Sequence, residues 1–77
     1  MDAIHVKCKR DGEKRWSFLT SGAGTTYLRI HAARFESMVK AKALIDANKD
    51  DNPDFAWRIV DGNGKLLYGD IRGKAAQ

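Results

Sequence analysis

Phe55-Ala56-Trp57-Arg58-Ile59-Val60-Asp61-Gly62-Asn63-Gly64-Lys65-Leu66-Leu67-Tyr68 is the stretch that decides the fold. Its first six residues alternate, with Phe55, Trp57 and Ile59 on one side of an extended chain and Ala56, Arg58 and Val60 on the other, since successive side chains of a strand point to opposite faces. The aromatic side is assigned to the core. Asp61-Gly62-Asn63-Gly64 contains Asp-Gly and Asn-Gly, the pairs that best accept the positive φ of a tight hairpin turn. Lys65 to Tyr68 is the returning strand.

Upstream of this hairpin the period changes from two to that of a helix. From Ser37 onward Met38, Ala41 and Ile45 share one face, Leu44 and Phe35 flank it, and Lys40, Ala43 and Ala47 lie opposite. Ser37 is placed to cap the first turn with its hydroxyl. Glu36 with Lys40, and Lys42 with Asp46, are spaced as ion pairs four residues apart. Asn48 to Pro53 ends the helix, with asparagines suited to a left-handed cap and a proline that turns Asn52 away from helical angles.

The N-terminal third reads as strands. Ile4, Val6 and Cys8 alternate with His5, Lys7 and Lys9 in a first strand over 3–9, and Arg10 to Glu13 turns the chain into a second, aromatic strand over 16–20. A flexible connection, Ser21 to Thr26, precedes a third strand expected over Tyr27 to Ile30. Residues 31–36 fit either the end of that strand or an early helix. The tail from Gly69 has little to anchor it, and residues 70–77 are expected to fray.

The order strand, strand, third strand, helix, strand, strand defines an α+β domain: one antiparallel sheet of four to five strands with one amphipathic helix on one face and the other face open. At 77 residues the chain has room for a single core. A fold that stands alone or as a small homo-oligomer is expected. The one cysteine excludes an internal disulfide, and with only two separated histidines it cannot complete a structural zinc set. No apolar run approaches the ~20 residues of a membrane span, and the first residues lack a secretory pattern. The expected setting is the cytoplasm, with no membrane partner.

No catalytic arrangement is visible. Cys8 lies with Ile4 and Val6 on the apolar side, which favours packing over a nucleophilic role, and no base accompanies it. His5 and His31 fall on separate elements and are expected at the surface or at strand ends. The acids cluster at turns, the run Asp50 to Asp54 lacks the glycine and glutamate of a calcium loop, and Gly22-Ala23-Gly24 lacks the Gly-Lys-Ser/Thr ending of a phosphate loop. The chain is therefore expected to be a non-enzyme without a cofactor.

Charge points to binding instead. Residues 1–34 hold seven Lys/Arg against three acids, and the remainder holds seven of each, so the whole +4 excess lies in the first part. Lys7, Lys9, Arg10, Lys14, Arg15, Arg29 and Arg34 are the candidate partner- or nucleic-acid-binding residues, the first five around one basic hairpin turn and Arg29 and Arg34, with His31, placed to adjoin it. Trp16, Phe18, Tyr27 and Tyr68 are candidates for base stacking where exposed, weighed against a role in the core.

The segment from Phe35 to Tyr68, with Phe35-x-Ser37, Leu44-Ile45-Asp46-Ala47-Asn48 and the Trp57 to Gly64 hairpin, resembles small phage- or mobile-element-encoded α+β proteins. These include anti-CRISPR and host-takeover factors. The resemblance implies a non-enzymatic inhibitor in the host cytoplasm that occludes a host protein or nucleoprotein complex, such as a CRISPR effector. Those families share no fixed functional residues, so the site residues come from charge alone. The alternative from charge is sequence-tolerant DNA or RNA binding through the same basic surface.

Overall fold

The computed structural model describes residues 3–22 and 24–73. It is one antiparallel five-stranded sheet with a single helix packed on one face, as the periodicities require. The strands are β1 (Ile4–Arg10), β2 (Ser17–Leu19), β3 (Thr25–Thr26), β4 (Phe55–Asp61) and β5 (Leu66–Arg72), arranged β3-β2-β1-β4-β5. The helix α1 spans Met38–Asn48.

The longest ladder joins β1 to β4. Val6 lies opposite Ile59 and Cys8 opposite Trp57, so the apolar sides of both strands face the same way. Ala41 and Ile45 of α1 close over them, and Val6, Ala41, Ile45 and Ile59 are fully buried. Met38, Leu19, Phe35, Phe55, Leu67 and Ile71 ring this cluster. The exposed helix face carries Lys40, Ala43 and Ala47, as its spacing predicts.

Local chemistry sets the helix ends. Ser37 is extended and its Oγ accepts from Lys40 N at 3.2 Å, and Lys40 also pairs with Glu36 at 2.7 Å. The second predicted pair does not form: Asp46 binds Lys49 at 3.0 Å, and Lys42 lies over the Tyr68 ring. Neither asparagine takes the left-handed cap. Asn48 and Asn52 keep negative φ, and each donates its side-chain amide one turn back, to Leu44 O and Asn48 O, while Lys49–Asp51 continues as a 3-10 turn. A polar side chain reaching back to a carbonyl here does the work expected of a reversed backbone.

Three other expectations change. Tyr27 to Ile30 is not a strand: β3 stops at Thr26, and Arg29–His31 is a 3-10 turn that settles residues 31–36 as neither alternative. Phe35 then bridges to Ile4, its N–H donating to Ile4 O at 2.9 Å, before α1 begins. The returning strand outruns its expected end, continuing through Asp70 to Arg72. Gly73 beyond it abuts Lys49, where an added Cβ would fall 1.9 Å from the carbonyl oxygen, so no side chain fits. Residues 70–72 of the expected tail thus belong to β5, and residues 74–77 lie outside the described residues, as does Ala23 of the glycine loop.

In the β4–β5 turn, Asp61 Oδ1 accepts from Asn63 N and Lys65 N, both at 2.9 Å, and Gly64 alone takes a positive φ, of 85°. This side-chain bond tightens the turn that the Asp-Gly and Asn-Gly pairs announced.

Candidate functional site

The sheet face opposite α1 is not wholly open. The connection after β3 runs across its upper end, with the Arg29 guanidinium donating to Gly62 O in the β4–β5 turn. Beneath it His5 and Val60, both on that face, are only 3% exposed. His5, expected at the surface or a strand end, is near the start of β1 but buried: its Nδ1 lies 2.9 Å from Ala33 O, and its ring meets Phe18 edge-on at 5.8 Å. The carbonyl accepts from an N–H on Nδ1, which fixes the tautomer and orients the ring.

The lower part of the same face stays accessible and is laid out by register. Lys7 stands between Phe18 on β2 and Arg58 on β4, and Lys9 lies opposite Ala56. The alternation that buries Val6 and Cys8 necessarily turns both lysines outward here. Lys7 Nζ lies 5.0 Å from the Phe18 ring centre, Lys9 Nζ 5.5 Å from that of Trp16, and Arg58 Cζ 4.1 Å from the same indole. Trp16 has two cations over its ring and is half-buried. Such contacts are worth roughly 0.5–1 kcal/mol each at exposed sites, and they hold long side chains in place.

Acids meet only part of this layer. Arg58 forks onto Asp70, its Nε bonded to Oδ1 and its Nη2 3.3 Å from Oδ2, while Arg72 pairs with Asp11 at 2.9 Å. Lys7 and Lys9 form no ion pair with an acid among the described residues. The bond from Arg58, with the fields of Arg58, Arg72 and Lys9, holds the Asp70 carboxyl below the usual carboxylate range. A depressed pKa means that the pair's contribution is full above the unfolded value of about 3.9 and fades as pH falls through the folded value. In a carboxyl-carbon NMR titration Asp70 is expected to turn over at lower pH than an ordinary aspartate, and Arg58→Ala to move it back toward the usual range. An unshifted wild-type curve would mean that the fork does not persist in solution.

The basic residues of the hairpin do not share one face, and Arg29 and Arg34 lie apart from Lys7 and Lys9. Lys7 and Lys9 are on the accessible face. Arg10 falls one residue out of phase, beside Phe55 on the helix side, where it pairs with Asp54 at 3.3 Å. Lys14 and Arg15 are exposed in the β1–β2 connection, and Arg15 covers the Tyr27 ring at 4.0 Å. Tyr27 lines a hollow with Cys8, Arg10 and Phe55, so this pair also belongs to the helix side. Arg29 is at the opposite end of β1, and Arg34 borders a cleft beside α1.

Arg58 and Arg72 join the accessible layer although charge counting over the first 34 residues passed over them. The outward phase of Arg58 between Ala56 and Val60 was the available signal. Of the four aromatic candidates, Trp16 and Phe18 lie in this layer, Tyr27 is on the helix side, and Tyr68 sits under Lys42.

Cys8 is buried, and that burial, reinforced by the charge of Glu13, pushes its thiol pKa up. The nucleophilic thiolate is disfavoured there. Among the described residues there is no group of three or more His, Cys, Asp or Glu placed to hold a metal ion, and no helix long and apolar enough to cross a membrane. Comparison of the chain with protein-family models, with curated proteins and with solved structures gave no match.

Proposed function

We propose that this chain is a non-catalytic binding protein whose accessible sheet face meets the phosphates of a single-stranded nucleic acid without reading its sequence. One observation carries this reading: Lys7 and Lys9 project from one face, each over an aromatic ring and neither paired with an acid among the described residues. Cations already held in place lose less side-chain entropy on meeting phosphate, and the counterions they release make the affinity fall with salt. Phosphate contact fits better than base stacking, because Lys7 already lies over the Phe18 ring and Lys9 and Arg58 over that of Trp16. The test is a titration of labelled single-stranded DNA and RNA at several salt concentrations, followed by anisotropy. Absence of binding even at low salt removes the proposal.

A second reading, an inhibitor of the phage type that occludes a host protein or nucleoprotein complex, draws on a different observation. Leu28 is 58% exposed and Ile30 85% exposed on the connection that borders the same face. Exposed apolar residues beside a basic layer are usual where a protein partner docks. A tight stoichiometric complex with one purified host assembly, abolished by Ile30→Asp and indifferent to nuclease treatment, would favour this reading over the first.

A further inference from the structure

The single helix is too narrow for the sheet it covers. Its buried residues Ala41 and Ile45 sit over β1 and β4, so the β2–β3 side of the same sheet face is left without a helix. A cleft of about 440 Å³ opens there, walled by Cys8, Leu19, Phe35, Leu44, Phe55 and Trp57. That volume and a lining surface that is mostly apolar are those of small-molecule sites, which run to roughly 300–1,000 Å³.

The polar groups at its border are unequal. Thr20, Ser21, Thr25, Asn48 and Asn52 are neutral, and among the described residues Arg34 is the one charged residue that lines it. Arg34 is exposed and forms no ion pair among the described residues. The adjoining hollow toward the β1–β2 turn differs: there Arg10 is matched by Asp54, and Glu13 accepts from Arg10 N at 2.9 Å. An anion is therefore favoured at the Arg34 end and opposed at the other.

From this arrangement we infer that the cleft binds a small apolar carboxylate, its hydrocarbon or aromatic body against Leu19, Phe35, Leu44 and Trp57 and its carboxylate on the Arg34 guanidinium. A planar guanidinium offers a carboxylate two parallel N–H donors, and the apolar body gains by leaving water. The site lies on the sheet face opposite Lys7 and Lys9, so it stands or falls separately from nucleic-acid binding.

Decanoate, 3-phenylpropionate and decanol, each below its aggregation limit, provide the test. Trp57 lies in the cleft wall and Trp16 on the far face, so a Trp16→Phe chain reports the cleft by fluorescence, and amide NMR shifts of the unaltered chain report it independently. Saturable shifts at Leu19, Phe35 and Leu44 are expected, with at least one acid bound about tenfold more tightly than decanol and that advantage lost in Arg34→Gln, as for one charge-assisted bond. Equal binding of acid and alcohol, an unchanged Arg34→Gln, or no saturable shift with any of the three overturns the inference. Shifts that spread to the Lys7 and Lys9 face instead of the cleft overturn it as well.

Discussion

Ile59→Ala is expected to lower the thermal midpoint by about 12–24 °C, whereas Leu66→Ala, on the neighbouring strand, should leave it nearly unchanged. Ile59 is fully buried, opposite Val6 in the central ladder and in one cluster with Ala41 and Ile45. Truncating a buried isoleucine to alanine costs about 2–5 kcal/mol, because the transfer energy is lost and the surroundings fill the hole only in part. Taking about 3 kcal/mol, and 4–8 °C per kcal/mol for a domain of this size, gives the range above. A short chain has little reserve, since stability of small domains lies toward the lower end of about 5–15 kcal/mol. Leu66 is 53% exposed, and substitutions at such positions usually stay within about 0.5 kcal/mol. Calorimetry or circular dichroism on the two variants settles it. Equal midpoints would mean that the β4 register is displaced, since a shift of one residue would bring Arg58 and Val60 to the helix side in place of Ile59.

That register was legible because one face of β4 is aromatic and aliphatic over three successive alternations, and only one phase buries all of them. The helix was legible for a similar reason, with its cap and its face agreeing. The failures occurred where β-prone residues were not buried. Tyr27, Leu28 and Ile30 have the composition of a strand, yet the chain there must leave the sheet edge and cross toward the β4–β5 turn, where Arg29 bonds Gly62. Tertiary connection overrode local propensity. In the candidate site the phases of Lys7 and Lys9 against Arg10 could be read from alternation, whereas pooling the basic residues by sequence distance merged two faces. The Arg58–Asp70 fork was out of reach, because β4 and β5 shift register between Trp57 and Ile59 and again between Ile59 and Val60. Such irregularities leave no mark in a hydrophobic period.

Lys7→Glu with Lys9→Glu should weaken single-stranded nucleic-acid binding by at least about 25-fold at 0.1 M salt and flatten its salt dependence. Each phosphate contact contributes about 0.7 to the slope of log affinity on log salt for single strands, so two lost contacts remove about 1.4. Extrapolated from 1 M, that slope amounts to about 25-fold, before any repulsion from the new carboxylates. The comparison chain is Lys42→Glu with Lys65→Glu, which alters net charge equally. Lys42 lies over Tyr68, and Lys65 belongs to the β4–β5 turn, away from the Lys7 and Lys9 layer. Long-range attraction falls in both chains, and contact is lost only in the first, so the slope separates them. Lys7 and Lys9 are turned away from the helix-side core, and Lys42 and Lys65 are exposed, so circular dichroism is expected to show both altered chains folded. If the two pairs weaken binding alike and with equal slopes, the chain attracts nucleic acid through its net charge and the accessible face has no special part. If only the first pair flattens the slope, Lys7 and Lys9 touch phosphate, and strand alternation alone has placed them there.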